Sequence, residues 1–290
     1  MKKRLGLTMR ARHIVQGYSF ISIWIVGFFL FMAIPLFRSL MFSFQDLKIM
    51  SGGLEATQVG LKHYNNAFTV DTSFVPRLIT SFTNIVIQVP LTLVFAMFSA
   101  LLLNRKLLGR IAFRGIFFLP VIIASGAVLK KLMGQGATRL PIFDQVDLVG
   151  KLIDYVPGQI LFPLLKMMDA ITLIMWDSGV QILIFLAGLQ SISTTLYEAA
   201  KCDGATPWES FWKVTFPMIV PMILVNTLFS IVSSFTKVDN SVMDYIQYIV
   251  FNKSDYGYAS SLGWIYFVFI FLVIGAVFLM FRGASAEERR

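Results

Sequence analysis

Cys202 is the only cysteine of the chain, and His13 and His63 are its only histidines. One thiol cannot form a disulfide within the chain. Two distant imidazoles beside it give no metal-ligand cluster. Charge is scarce as well: 14% of the 290 residues are Asp, Glu, Lys or Arg, against about 25% in soluble domains. Also missing is Gly-x-x-x-x-Gly-Lys-Ser/Thr, the loop whose backbone amides cradle nucleotide phosphates; Gly134-Gln-Gly136 reads only as a loop signal. The chain therefore has no means of hydrolysing ATP by that route. No apolar run contains a clear acid or base for ion coupling, as a self-sufficient secondary transporter would require. Nor does a His/Asp/Glu or Ser/Lys constellation at membrane depth point to an embedded enzyme. No catalytic residue, metal or cofactor is expected in this chain.

Apolar residues fill the space that charge leaves. The hydrophobic share is 57%, with 28 Phe, and the mean hydropathy is +0.73. A spanning helix takes about 20 mostly apolar residues, and six segments qualify: Gly17–Phe37, Leu78–Leu103, Ile111–Leu129, Ile171–Gln190, Met218–Thr236 and Leu262–Phe281. The pattern predicts an all-α polytopic membrane protein with six transmembrane helices. It divides into a basic arm (1–16), a six-helix domain (17–282) and a short tail (283–290). The first segment follows the arm as a signal peptide would, but Pro35-Leu-Phe-Arg38 stands where a small-residue cleavage site belongs, so it reads as a retained anchor.

The net charge of +9 could indicate nucleic acid, but the cations sit between apolar runs. Lys2, Lys3, Arg4, Arg10 and Arg12 flank the first segment, and Arg105, Lys106, Arg110 and Arg114 lie between the second and third. The positive-inside rule then sets both termini, and residues 191–217, on the cytoplasmic side. Lys130 and Lys131 run against that rule. The opposite side receives 38–77, 130–170 and 237–261. Within these, 155–163 is too interrupted by proline and glycine to span.

Residues 191–217 are polar and sharply punctuated. Thr195-Leu-Tyr-Glu198 has the form of a capping box, followed by a short helix from Leu196 to Asp203. Gly204 suits the positive φ that ends a helix. Thr206-Pro-Trp-Glu209 is a second capping box, with Pro207 at the favoured first position. The second helix would run to Phe216, and Pro217 would mark the boundary with the fifth span. Tyr197, Trp208, Phe211 and Trp212 are anchors of the kind that protein interfaces favour. An amphipathic connector resting on headgroups fits these residues as well as a docking surface does. Cys202 reads as a small buried residue.

Glu198-Ala-Ala200, Asp203-Gly-Ala205 and Pro217, in that order and spacing, resemble the cytoplasmic signature of bacterial ABC importer permeases. Tyr18–Phe28, Ser39–Phe44, Val59–Tyr64 and Phe113–Pro120 resemble the carbohydrate-type permeases in particular. The likeness covers nearly the whole chain and is weakest at Lys237–Asn240 and near Arg139–Pro163. It implies that 195–217 holds a coupling helix between helices four and five, docked on a separate ATPase. Glu198, Ala199, Ala200, Asp203, Gly204 and Pro217 are its residues. It also implies a second, similar permease, two ATP-binding cassette subunits carrying ATP and Mg, an extracytoplasmic solute-binding protein, and a sugar or oligosaccharide as cargo. A non-sugar solute remains the alternative within the same machine.

A sugar path needs hydrogen-bonding groups at membrane depth. The candidates are Asn84, Gln88, Ser125, Gln181, Asn226, Ser230, Ser233 and Ser234. Asn226, Ser230 and the Ser233/Ser234 pair share a helix face. The competing reading is helix–helix packing, where small and polar residues are also common. Trp176 and Asp177 fit an interfacial belt better than a gate.

Overall fold

The computed structural model describes residues 9–50, 53–105, 115, 174–175, 177–237 and 240–287. Apart from Gly115, the expected third span, with Ser125, lies outside the described residues, as do Trp176 and 155–163. The described chain is built from helices α1 (Met9–Phe28), α2 (Ile34–Phe42), α3 (Lys62–Thr69), α4 (Phe74–Asn104), α5 (Gly179–Ser191), α6 (Thr194–Cys202), α7 (Pro207–Ser210), α8 (Phe216–Thr236), α9 (Ser241–Lys253) and α10 (Tyr256–Glu287). Two strands, β1 (Gln45–Met50) and β2 (Gly53–Gln58), interrupt them.

Among the described residues, four helical runs are long and apolar enough to cross a membrane: Val15–Phe42, Phe74–Asn104, Pro207–Lys253 and Tyr256–Arg282. They contain the expected first, second, fifth and sixth spans. A fifth run arises only if α5 and α6, bent by 62° at their junction, count as one. At about 1.5 Å per residue, α5 alone falls well short of a bilayer. The remainder of the expected fourth span lies mostly outside the described residues.

The chain divides into two compact units, Met1–Val75 with Tyr245–Val268, and Pro76–Asp244 with Phe269–Arg290. In the first, α1 and α2 form one continuous helix through a π-helical turn at Phe29–Ala33, where the Ile34 amide donates to the Phe29 carbonyl. Pro35 follows at the start of α2. Proline has no amide to donate and its ring crowds the preceding turn, and the wider π turn gives it room. The apolar window of this helix buries none of its residues against the described chain.

The described chain is mostly helical, as expected, and this unit adds one short hairpin that the sequence reading did not place. β1 and β2 pair antiparallel, with Gln45 opposite Gln58 and Met50 opposite Gly53. A two-residue connection suits a tight hairpin, and a lone hairpin needs packing to be stable. That packing comes from α3 and α10. The Tyr64 hydroxyl lies 2.7 Å from Ser43 Oγ, and His63 Nε2 lies 3.2 Å from the Gln45 carbonyl oxygen. The same carbonyl faces Gly257 so closely that an added Cβ would sit 2.0 Å from it. Asp71 ties the helices together. Its Oδ1 accepts from the Ser73 and Phe74 amides at 2.7 and 3.1 Å, capping the start of α4. Its Oδ2 accepts from the hydroxyls of Tyr245 on α9 and Tyr258 on α10 at 2.8 and 2.6 Å. Partial burial pushes the Asp71 carboxyl up. The hydrogen bonds from Tyr258, Ser73, Tyr245 and Phe74 outweigh it, and the pKa lies below the usual carboxylate value.

In the second unit the core is a seam between α4, α5 and α8. Ala96, Ala100 and Leu103 of α4 pack with Ile182, Phe185, Leu186 and Leu189 of α5, with Ile192 and with Ile219 of α8. The alanines bring the helices close, as small residues do in membrane bundles. Gly188 does the same against α8, where an added Cβ would meet Met222 Cγ at 2.6 Å.

Gly257→Ala is expected to lower stability by about 1–3 kcal/mol through overpacking against the hairpin. Gly263→Ala, with open space around it, should be neutral or stabilising by up to about 1 kcal/mol from helix propensity. Thermal unfolding in detergent compares the two. Because the folded pKa of Asp71 is depressed, its contribution is complete above the unfolded value and is lost as pH falls through the folded one. The melting difference between the parent and Asp71→Asn should therefore shrink from about pH 6 to about pH 2; a difference that grows on acidification contradicts this assignment.

Candidate functional site

Two sets of residues in the second unit are candidates. The first is the connection from α5 to α8. Its opening cap differs from the sequence expectation. Ser193, not Thr195, is the N-cap of α6: its backbone is extended at φ −63° and ψ 135°, and its Oγ accepts from the Thr195 amide. An N-cap residue needs that non-helical geometry, whereas Thr195 is already inside the helix. Its hydroxyl lies 2.7 Å from Ser193 Oγ.

The end of α6 follows the expected form. Gly204 has φ +78°. Its amide donates to the Lys201 carbonyl at 3.0 Å, and the Ala205 amide to the Ala200 carbonyl at 2.9 Å. This is the paired closure of a Schellman motif. A Cβ at Gly204 would meet nothing within 4 Å, so within this chain only the backbone conformation disfavours a side chain there. The second capping box is complete. Thr206 Oγ1 accepts from the Glu209 amide at 3.3 Å, and Glu209 Oε2 accepts from the Thr206 amide at 2.8 Å.

No break separates the second short helix from the following span. After α7 a π turn at Phe211–Thr215 leads directly into α8, with the Phe216 amide bonded to the Phe211 carbonyl. Pro217 therefore lies in the first turn of α8 inside a continuous helical run rather than at a boundary. The π turn accommodates its ring, as the one before Pro35 does. Tyr197 of α6 is held to this turn by its hydroxyl, 2.9 Å from Thr215 Oγ1. Phe211, Trp212 and Phe216 form an aromatic cluster with Trp208, Trp212 lying 5.1 Å from both Phe211 and Phe216.

Glu198, Ala199, Asp203 and Gly204 are exposed, and Ala200 and Pro217 half-buried. Trp208 is 69% and Trp212 46% exposed. Cys202 is exposed too, contrary to expectation, because α6 turns that face away from the core. Between this connection and the end of α4 lies an open cavity of about 630 Å³ lined by Asn104, Arg105, Tyr197, Lys201, Phe211 and Thr215 among others.

The second set divides the expected substrate-path residues in two. Gln181, Asn226 and Ser230 bond α5 to α8. Gln181 Nε2 donates to Ser230 Oγ at 3.0 Å, and Asn226 Nδ2 donates to the Gln181 carbonyl at 3.2 Å. All three are buried, and Asn226 Oδ1 has no partner. For Asn226 the structure favours the packing role. Asn84, Gln88, Ser233 and Ser234 instead come together from α4 and α8 around two small adjoining pockets of about 110 and about 20 Å³. Gln181 and Ser230 also reach the smaller one.

Several members of this cleft, Asp177, Lys237 and Asn240 among them, were not among the expected substrate-path residues. Lys237 Nζ donates to Asp177 Oδ2 in an ion pair, and both line the cleft. Asp177 is thus a cleft residue and not only part of an interfacial belt. Asn240 donates to Ser81 Oγ at 3.0 Å and accepts from the Val242 and Met243 amides, capping α9. The cue was the polar run after α8, which could be paired with α4 and α5 only once the helices were assembled.

The sequence profile of the binding-protein-dependent transport system inner membrane component family matches residues 69–288. The chain belongs to this family. It is a membrane-embedded transport component rather than an enzyme. The "Probable ABC transporter permease protein YesP" of Bacillus subtilis (strain 168) is 32% identical over 93% of this chain and 91% of its own length. An arabinooligosaccharides transport system permease, AraP of Halalkalibacterium halodurans, is 26% identical over 89% of this chain and 85% of its own length. Chains in two solved structures of a bacterial alginate ABC transporter share the fold at 19% identity, with TM-scores of 0.61 and 0.62. They cover 93% and 94% of this chain, and 96% of each matched chain is aligned. One of those structures includes an alginate pentasaccharide-bound periplasmic protein.

Ser193→Ala should cost about 1 kcal/mol, as the loss of an N-cap does. Thr195→Ala should cost less than about 0.5 kcal/mol. Thr206→Ala should match Ser193→Ala at about 1 kcal/mol. Denaturation of the detergent-solubilised chain ranks the three; equal costs for Ser193→Ala and Thr195→Ala contradict the cap assignment.

Proposed function

We propose that this chain is one permease of an ATP-driven importer of a sugar or oligosaccharide, forming half of the translocation path. In this reading it has six transmembrane helices in a bacterial cytoplasmic membrane, with both termini in the cytoplasm. A second, similar permease completes the path. Two ATP-binding cassette subunits supply ATP and Mg, and an extracytoplasmic binding protein delivers the cargo.

The connection from α5 to α8 carries the proposal. α6 ends at a left-handed Gly204 that presents Glu198 and Asp203 to solvent. The next helix joins α8 with no flexible link. A force applied at α6 and α7 is transmitted along α8 to the residues of the polar cleft. That is the mechanical task of a coupling helix: ATP-driven closure of the partner ATPases moves α6, and α8 moves with it. Glu198 meets a basic group or a backbone amide on the ATPase, and Gly204 leaves room for close approach. The cleft's amides and hydroxyls suit a polyhydroxylated cargo. Its pockets are smaller than the roughly 300–1,000 Å³ of complete ligand sites, which fits a path shared between two permeases. The named cargo of the arabinooligosaccharide relative favours a sugar.

Two measurements test the proposal. An ATPase should co-purify stoichiometrically with the chain. Gly204→Trp should abolish ATPase association and uptake while leaving membrane insertion intact. Normal uptake by that variant contradicts the coupling role.

A further inference from the structure

We infer that the cavity between the end of α4 and the α5-to-α8 connection binds a phosphate group, with Arg105 and Lys201 as its cationic contacts. The inference goes beyond the importer reading. It concerns the flank of the coupling connection and needs no particular cargo.

The cavity measures about 630 Å³, within the roughly 300–1,000 Å³ of complete ligand sites. Arg105 follows directly on α4, Lys201 stands in the last turn of α6, and both line the cavity. None of the described residues lining it is acidic. Among the described residues neither Arg105 nor Lys201 has an ion-pair partner. The acids of the connection are placed elsewhere. Glu209 is held by Thr206 in the capping box, and Glu198 and Asp203 are exposed and do not line the cavity. The sequence after Arg105 adds no acid either: 106–114 contains Lys106, Arg110 and Arg114 and no Asp or Glu. Two like charges facing one cavity repel, and a phosphate between them replaces that repulsion with charge-assisted hydrogen bonds. Asn104 and Ser210 add an amide and a hydroxyl for its remaining oxygens.

Such a group comes from a lipid headgroup or from free phosphate. The surroundings favour the headgroup. Phe98 and Leu102, one turn apart on α4, are 61% and 42% exposed, and they lead along the apolar span to Arg105. Leu101, Leu189 and Phe211 line the cavity beside the cations. An acyl chain on that face of α4 sets its phosphate at the cavity mouth. Basic pockets between spanning helices on the cytoplasmic side take anionic headgroups in this way. The bound phosphate bridges the end of α4 to α6, the helix proposed to meet the ATPase.

The experiment uses the full chain, with the subunits that accompany it, in phosphatidylcholine nanodiscs. Cys202→Ala is the background, and Ser210→Cys places a reporter thiol in the cavity wall. Maleimide modification of that thiol is followed by peptide mass spectrometry. Phosphatidylglycerol in the disc should slow it about tenfold, as expected for two basic contacts with an anionic headgroup. Arg105→Gln with Lys201→Gln should bring the rate to within about twofold of the phosphatidylcholine value. Arg105→Lys with Lys201→Arg should keep the protection, which shows that the fold survives substitution there. Lys213→Gln removes an exposed cation that does not line the cavity, and protection should persist. Equal loss in that variant means general headgroup attraction and overturns the site. Millimolar inorganic phosphate in phosphatidylcholine discs separates the sources. Protection by phosphatidylglycerol alone assigns a lipid, and cation-dependent protection by phosphate assigns a free anion. The inference is overturned if neither protects, or if the thiol is already shielded in phosphatidylcholine by an accompanying subunit. Sugar uptake is scored separately, so failure of the phosphate site leaves the importer reading standing.

Discussion

A backbone amide surrounded by hydrocarbon has no water to bond, so the chain must satisfy it internally. This constraint makes the apolar segments helical, and it is most at risk where proline enters a helix. Pro35 and Pro217 meet it in the same way. Each stands two residues beyond a π turn that begins at a phenylalanine, Phe29 or Phe211. The wide turn admits the ring without ending the helix, so α1 runs on into α2 and α7 into α8. The second case matters more for function: a break at Pro217 would separate the α5-to-α8 connection from the helix it is proposed to drive.

Continuity transmits movement only if the helix is held against its neighbours. The alanines of α4 and Gly188 of α5 allow close packing with α8, and Tyr197 bonds α6 to Thr215. Gln181, Ser230 and Asn226 then cross-link α5 and α8 at depth. Polar residues in the spans therefore do two jobs. Some fasten helices together, and of these Gln181 and Ser230 also reach the smaller pocket. Others, Asn84, Gln88, Ser233 and Ser234, are left facing a cleft.

The local chemistry of the α5-to-α8 connection was legible because caps and turns act over a few residues. The Thr206–Glu209 box and the left-handed Gly204 follow from side-chain reach and φ freedom. Thr195 was misread because Ser193 offers the same hydroxyl two residues earlier, and only the backbone geometry decides between them. The hairpin was hidden for a different reason. Gln45–Met50 and Gly53–Gln58 lack a clean apolar alternation, and their stability comes from His63, Tyr64 and Gly257, which are distant in sequence.

The sequence by itself determined that this is a helical membrane protein, since lipid demands long apolar runs whose backbone groups are bonded internally. It also determined the glycine hinge, because only a residue without Cβ takes that φ without strain. The tertiary structure alone decided which polar side chains are fastened in pairs and which face the cleft. It also brought Asp177 to Lys237. Those outcomes depend on how α4, α5 and α8 rotate against one another, and hydropathy carries no record of that rotation.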